Sequence, residues 1–363
     1  MDTSAKEIVF YDDGRCSFCK DFDDRISQEI HKDLPDDFLH KFAEKVKKAG
    51  KNNEYDCLIG ISGGVDSSYV AYLTKELGLR PLAIHLDNGW NSELSVSNIE
   101  KLCDKLDIDL DTTVLDWNEF KDIQQSFLKS SISNVEIPTD HAIWAVLVKT
   151  AAKLNIKYII SGSNAATESI MPESWLYTSK DSKVIRSIHK KFGKRKMKSY
   201  PFLTIFDYFE KLFVRGIKWV PILNYMDFDK AKAKAFLISE YDWRDYGGKH
   251  YESIFTRFFH SYYLMEKFGY DLRRSYSSAE ICSGQLSRDK AIEDLNLPSA
   301  EAGMLASDLE YVKKKLGFSD LDFDLILRAE NRSFDDYPNN YKLWSALARY
   351  VRFFRKRITE IHD

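Results

Sequence analysis

The sequence predicts an α/β protein, a doubly wound parallel sheet followed by a mainly helical second lobe. Short apolar runs alternate with amphipathic stretches between residues 55 and 161. A glycine pair stands directly after the first of these runs, and past about residue 170 the periodicity turns helical. Strands separated by helices of this length imply βαβ units, hence parallel strands covered on both faces.

A polar extension, 1–54, precedes that alternation and carries a helical stretch near Asp36–Lys48. Tyr55–Ile61 reads as a buried strand and Ser67–Leu77 as a helix. Pro81–Asp87 is a second strand, Ser92–Leu106 a helix, and Leu110–Leu115 a third strand. Helices near Trp117–Ser130 and Thr139–Leu154 lead to a fourth strand, Tyr158–Ser161. The sheet domain therefore spans 55–170, and ligands of such sheets sit beyond the carboxyl ends of the strands. The remainder, 171–363, reads as a substrate or partner lobe with helices at Asp229–Glu240, Tyr251–Phe268, Ser287–Leu295, Ala302–Leu316 and Asn340–Ile358.

Composition narrows the classes. The chain has 363 residues, 44% hydrophobic and 30% charged, with net charge -3. That suits a globular core and gives no global electrostatic case for nucleic acid or an anionic membrane. Five cysteines, scattered along the chain, make no disulfide framework. With no apolar run long enough to span a bilayer, a cytoplasmic protein without membrane insertion is expected.

The chemistry is concentrated where the first strand ends. Ser62-Gly63-Gly64-Val65-Asp66-Ser67-Ser68 opens the following helix. Paired glycines let backbone N–H groups close on an anion, and the helix adds its positive end. Ser62, Ser67 and Ser68 can donate to phosphate oxygens. Asp66 would repel a bare phosphate, which points to a bridging Mg²⁺. An ordinary serine-capped turn accounts for the glycines but not for that aspartate. Asp87 closes the second strand, as a candidate nucleotide contact or a helix cap. Gly162, Asn164 and Glu168 follow the fourth strand.

Ser-Gly-Gly-x-Asp-Ser resembles the signature of the PP-loop ATP pyrophosphatases, which transfer AMP to an oxygen and release pyrophosphate. The loop with Glu168 resembles Gly-Thr-Asp-x-x-x-Glu of the NAD synthetase branch, which implies that Asp66 and Glu168 hold Mg²⁺. Longer segments resemble the N-acetyl sugar amidotransferase family: 87–94, 164–175, Ile188-His189-Lys190-Lys191-Phe192-Gly193, 246–258, and 268–274 through Ser283-Gly284-Gln285. The resemblance implies an ATP-dependent amidotransferase of surface-polysaccharide or sialic-acid-like sugar biosynthesis. It would adenylate the acetamido carbonyl of a nucleotide-linked sugar and replace its oxygen with ammonia-derived nitrogen. Lys249, in a Gly-Gly-Lys-His turn, is the candidate cation for charge on the transferring phosphorus, and His250 and Glu252 are candidates for proton transfer. The rival reading is a tRNA-modifying PP-loop enzyme of thiolation or lysidine type, and a third is a nucleotide-binding regulatory module without turnover.

No Gly-x-Cys-x-Gly nucleophile is present to make ammonia from glutamine. The resemblance implies a separate glutaminase and synthase pair as supplier, akin to the one in histidine biosynthesis. The basic run Lys190–Lys198 suits a diphosphate or an acidic partner surface. The family's pattern opens with two Cys-x-x-Cys pairs, whereas Met1-Asp2-Thr3-Ser4 reads as an internal start that has cut off the first. Cys16 and Cys19 would then be half of a zinc knuckle, a partial site expected to hold zinc weakly at best. Cys57, Cys103 and Cys282 sit in apolar patterns and read as packing residues.

Overall fold

The computed structural model describes residues 1–31, 34–249 and 251–347. Five parallel strands form one sheet: β1 (Cys57–Gly60), β2 (Pro81–Asp87), β3 (Asp109–Val114), β4 (Tyr158–Ser161) and β5 (Lys218–Pro221). Their order is β3-β2-β1-β4-β5, with Cys57 opposite Pro81 and Leu58 opposite Ile159. The chain winds outward from β1 to β3 and then returns to the other side of β1. That reversal opens a crevice at the carboxyl ends of β1 and β4.

Alternation along each strand feeds two cores. Leu58, Leu82, Ile84 and Ile159 face one side, and Cys57, Ile59, Ala83 and Ile160 the other. Of the helices, α1 (Phe38–Gly50), α2 (Val65–Glu76) and α3 (Glu93–Leu106) cover the second face, burying Val46, Val70, Ala71, Ile99 and Leu102. On the first face lie α4 (Trp117–Ser130) and α5 (Ile137–Lys153), with Phe120, Ile123, Phe127, Ala145 and Val148 in its core. Both faces are covered, as a doubly wound sheet requires. β3 is one edge of the sheet and β5 the other, and the exposed Asp109 and Asp111 on β3 discourage pairing with another sheet.

Past β4 come α6 (Ala165–Glu168), α7 (Ser182–Phe192), α8 (Lys230–Tyr241) and a helical stretch over 254–268, then α9 (Leu272–Cys282). The second lobe is helical as expected, but it also supplies β5, whose Ile159↔Trp219 register completes the sheet. Neither β5 nor α7 and α9 were among the sequence-predicted elements. The helix expected from Tyr251 begins at Ile254, because the Ser253 hydroxyl caps it by accepting from the Thr256 N–H. Residues 341–347 are helical; the rest of the helix expected to Ile358 lies outside the described residues, as does His250. Among the described residues no helix is long and apolar enough to cross a membrane.

The N-terminal segment is anchored to the lobe: the Trp175 indole N–H donates to Ser4 O, and Glu7 accepts from Ser174. The basic loop after α7 is also held. Buried Asp122 accepts from the N–H groups of Lys194 and Arg195 and pairs with His189 at 2.9 Å, and Glu119 accepts from those of Ser199 and Tyr200. Backbone position is thus set by two α4 carboxylates, while the Lys190, Lys194, Arg195 and Lys196 side chains remain exposed.

Candidate active site

The loop Ser62–Ser67 leaves β1 and bends at Gly63, which has φ +82°. A Cβ there would stand 2.7 Å from Ser95 O, so close packing on α3 also demands glycine. The Trp243 indole N–H donates to Gly63 O at 3.0 Å and fixes the loop from the second lobe. At the β4 exit, a Cβ on Gly162 would meet the Asp66 carbonyl carbon at 2.9 Å. The two strand-end loops therefore touch through a residue without a side chain.

A cavity of about 670 Å³ opens above them. Ser62, Gly64, Asp66, Ser67, Gly162, Glu168 and Lys249, proposed from the sequence, all line it. Gly63, Ser68, Asp87 and Asn164 are not on its wall. Ser68 is fully buried. Asp87 accepts from the Gly89 N–H at 2.8 Å, and Asn164 caps α6 by accepting from Thr167 N–H at 3.0 Å. Each holds a turn that shapes the site.

Several wall residues were missed by sequence reasoning, Lys230 and Glu280 first among them. Lys230, the first residue of α8, reaches Asp66 at 3.1 Å, while Lys249 pairs with Glu168 at 3.4 Å and lies 3.7 Å over the Tyr276 ring. The only signal for Lys230 was its place behind Asp229, whose carboxylate accepts from Lys232 N–H and caps α8. Glu280 of α9 joins the same wall.

Burial raises the pKa of Asp66, Lys230 opposes that, and the charge of Glu168 adds to it. Burial also pulls on Lys230, but Asp66 and Glu168 outweigh it and hold that ammonium above its usual range. Lys249 goes the other way: burial lowers it, Glu168 opposes, and the neighbouring Lys230 adds to the drop. Glu280 is raised by burial against the pull of both lysines. Three carboxyl groups, Asp66, Glu168 and Glu280, thus share this wall with the ammonium groups of Lys230 and Lys249.

The buried Asp66 Oδ1 has no hydrogen-bond partner among the described residues. An unsatisfied carboxylate oxygen facing an anion cradle fits a divalent cation. Among the described residues no group of three ligating side chains occurs. An ion there would accordingly take Asp66 and Glu168 and complete its shell with phosphate oxygens and water, as Mg²⁺ does. Cys16 and Cys19 lie elsewhere, their Sγ atoms 3.5 Å apart. Cys282 packs, as expected, half-buried against the cluster of Phe22, Ile26 and Ala279, and it also interacts with the Cys19 thiol.

A second cavity, of about 290 Å³, adjoins the first. Ser62, Ile143, Gly162 and Glu252 line both. Its lining includes the apolar Ile61, Ile84 and Leu147 together with Glu136, Asp140 and Thr256. The chain segments after β2 and before the 254–268 stretch are zipped together here: Ser92 N–H donates to Glu252 O and Ile254 N–H to Trp90 O, both at 2.9 Å.

Residues 252–351 match the family described as LPS biosynthesis protein WbpG-like, C-terminal domain, and residues 36–171 match NAD synthase. A tRNA-specific 2-thiouridylase of Fusobacterium nucleatum is 30% identical over 118 residues, 31% of this chain and 34% of that protein. A tRNA(Ile)-lysidine synthase of Chlamydia pneumoniae is 42% identical over 48 residues, 13% of this chain and 15% of that protein. The chain thus spans about a third of the length of one of these relatives and under a sixth of the other. Among solved structures, the NH3-dependent NAD synthetase from Campylobacter jejuni, in complex with the nitrate ion, has a TM-score of 0.34 at 14% identity, covering 77% of this chain and 94% of that one. Two stretches of the chain thus resemble known families in order, 36–171 NAD synthase and 252–351 the WbpG-like C-terminal domain, consistent with its resemblance to the N-acetyl sugar amidotransferases.

Proposed function

We propose that the chain adenylates the acetamido carbonyl oxygen of a nucleotide-linked sugar and lets ammonia displace AMP, leaving an acetamidino sugar. The observation that carries this reading is the convergence of Asp66, Glu168, Lys230 and Lys249 on one cavity at the mouth of the Ser62–Ser67 loop. An amide oxygen is a poor leaving group near neutral pH. Its transfer to phosphorus makes it part of AMP, and the carbon becomes open to attack by nitrogen.

ATP's phosphates belong at the serine-glycine loop, where backbone N–H groups and the α2 N-terminus favour anions. Ser62, Ile143 and Gly162 are shared by both cavities, so the adenosine half extends into the smaller, partly apolar one. The larger cavity is left for the sugar. Bound Mg²⁺ would be held by Asp66 and Glu168 and would neutralise charge where the α–β bond breaks. Lys230 and Lys249, now paired with those carboxylates, are placed to meet the oxygens of the departing pyrophosphate.

The deciding experiment incubates the protein with ATP, Mg²⁺, ammonium and a panel of UDP-linked acetamido sugars. A product whose mass reports O replaced by NH, formed with AMP and pyrophosphate, is expected. ADP among the products would end the PP-loop reading. The tRNA-modifying alternative draws on the two short matches to tRNA enzymes, but among the described residues no cysteine lines either cavity, as a thiolation nucleophile should. AMP release stimulated by a tRNA transcript and not by any sugar would favour it instead.

A further inference from the structure

We propose that Glu136 reads the nucleotide base, donating a hydrogen bond from its carboxyl to N1 of adenine across the smaller cavity. This rests on the placement of adenosine given above. Glu136 precedes the first turn of α5, is 8% exposed, and lines the smaller cavity. Thr256 Oγ1 donates to its Oε2 at 2.9 Å. Oε2 is thereby committed as an acceptor, and Oε1 is the atom left to carry a proton.

The surroundings keep that proton in place. Burial raises the Glu136 pKa to about 8, Asp140 adds to the rise, Thr256 opposes it, and Glu252 adds again. No lysine or arginine stands among the described residues that line the cavity. His85, within β2, has Nδ1 2.9 Å from Ile61 O and Nε2 3.0 Å from the Asn91 amide nitrogen. Burial first, and then the charges of Glu168 and Asp140, keep the Tyr276 hydroxyl of α9 protonated well above the ordinary range. A neutral carboxyl in a partly apolar cavity is a donor where an ionised one could only accept. Adenine N1 is an acceptor, whereas N1 of hypoxanthine carries a hydrogen. Sites built to hydrogen-bond a base discriminate strongly against the mismatched pattern.

The test is equilibrium binding of the α,β-methylene analogues of ATP and ITP, from about pH 7 to about pH 9 across the titration of a carboxyl so raised. The wild-type preference for the adenine analogue should fall about tenfold over that range, as ionisation removes the donor and offers N1–H of hypoxanthine an acceptor. Glu136→Gln keeps the Thr256 contact and cannot ionise, so its preference should change only with the loss of the hypoxanthine N1 proton itself at the alkaline end of the range, and by much less than that of the wild type. A flat wild-type ratio overturns the proposal, as does a Gln variant that follows the wild-type pH dependence. Because the readout is binding, failure to turn over any sugar leaves it intact. If neither analogue binds at any pH, both this proposal and the placement of adenosine fall.

Discussion

Asp66 and Lys230 form a 3.1 Å ion pair on the cavity wall, and substitution separates the roles proposed for them. Asp66→Asn should fold and lose AMP formation by about 10²–10³, the scale for one preorganised charged group, because the amide is a poorer cation ligand. An unchanged rate at saturating ATP and Mg²⁺ would remove Asp66 from the mechanism. Lys230→Met should also lower turnover, and it should release Asp66 from its ion pair, so added Mg²⁺ should bind the ligand-free variant more tightly than the wild type. Titration calorimetry checks that ordering. Asp66, Glu168 and Lys249 were legible because each sits in a short pattern with glycines or serines at fixed offsets. Lys230 was not. Its neighbours in Asp229-Lys230-Ala231-Lys232-Ala233-Lys234 offer alternating lysines, and only the direction in which α8 starts selects one of them for the cavity.

At the scale of elements, the closest approach in the site is between the β1 and β4 loops. Gly162→Ala places a methyl 2.9 Å from the backbone of Asp66, which must move the loop rather than a flexible side chain. We expect a folded protein with unchanged melting temperature within a few degrees and at least about tenfold weaker ATP binding; wild-type affinity would show that the loops are free to part. The basic loop gives a second case. Burial would raise the Asp122 pKa, but N–H donors from Arg195 and Lys194 and the His189 ring outweigh it and hold it below its ordinary 3.8. A carboxyl depressed on folding contributes stability above its unfolded value and loses it as pH falls through the folded one. Asp122→Asn should thus cost about 1–3 kcal/mol near neutral pH by urea denaturation, with the difference from wild type shrinking in acid below that value. Strands β1, β2 and β4 announced themselves as apolar runs. β5 is Lys-Trp-Val-Pro, too short to show a period and closed by a residue that cannot extend a ladder, so only its pairing with β4 reveals it.

For the whole molecule, the division of labour is the main expectation. No cysteine among the described residues lines either cavity, so the chain alone should use ammonium and leave glutamine intact; glutamate release by the unassisted protein would contradict this. Reversing charge on the held loop (Lys194→Glu with Lys196→Glu) should reduce turnover driven by a glutaminase partner more than turnover driven by ammonium. Equal losses would place the sugar nucleotide there instead. The general architecture was readable from the alternation of short apolar and amphipathic runs, but the way the second lobe enters the first was not, because pairing between β4 and β5 is a long-range fact without a local pattern. That pairing also has a meaning during synthesis. As the chain leaves the ribosome, β4 emerges well before the strand that will cover it, and the nascent sheet carries an open apolar edge through the translation of α6 and α7. Slow codons or a truncation between residues 161 and 218 would prolong that interval. Release at that point should yield a species that chaperones retain, rather than a small ATP-binding domain.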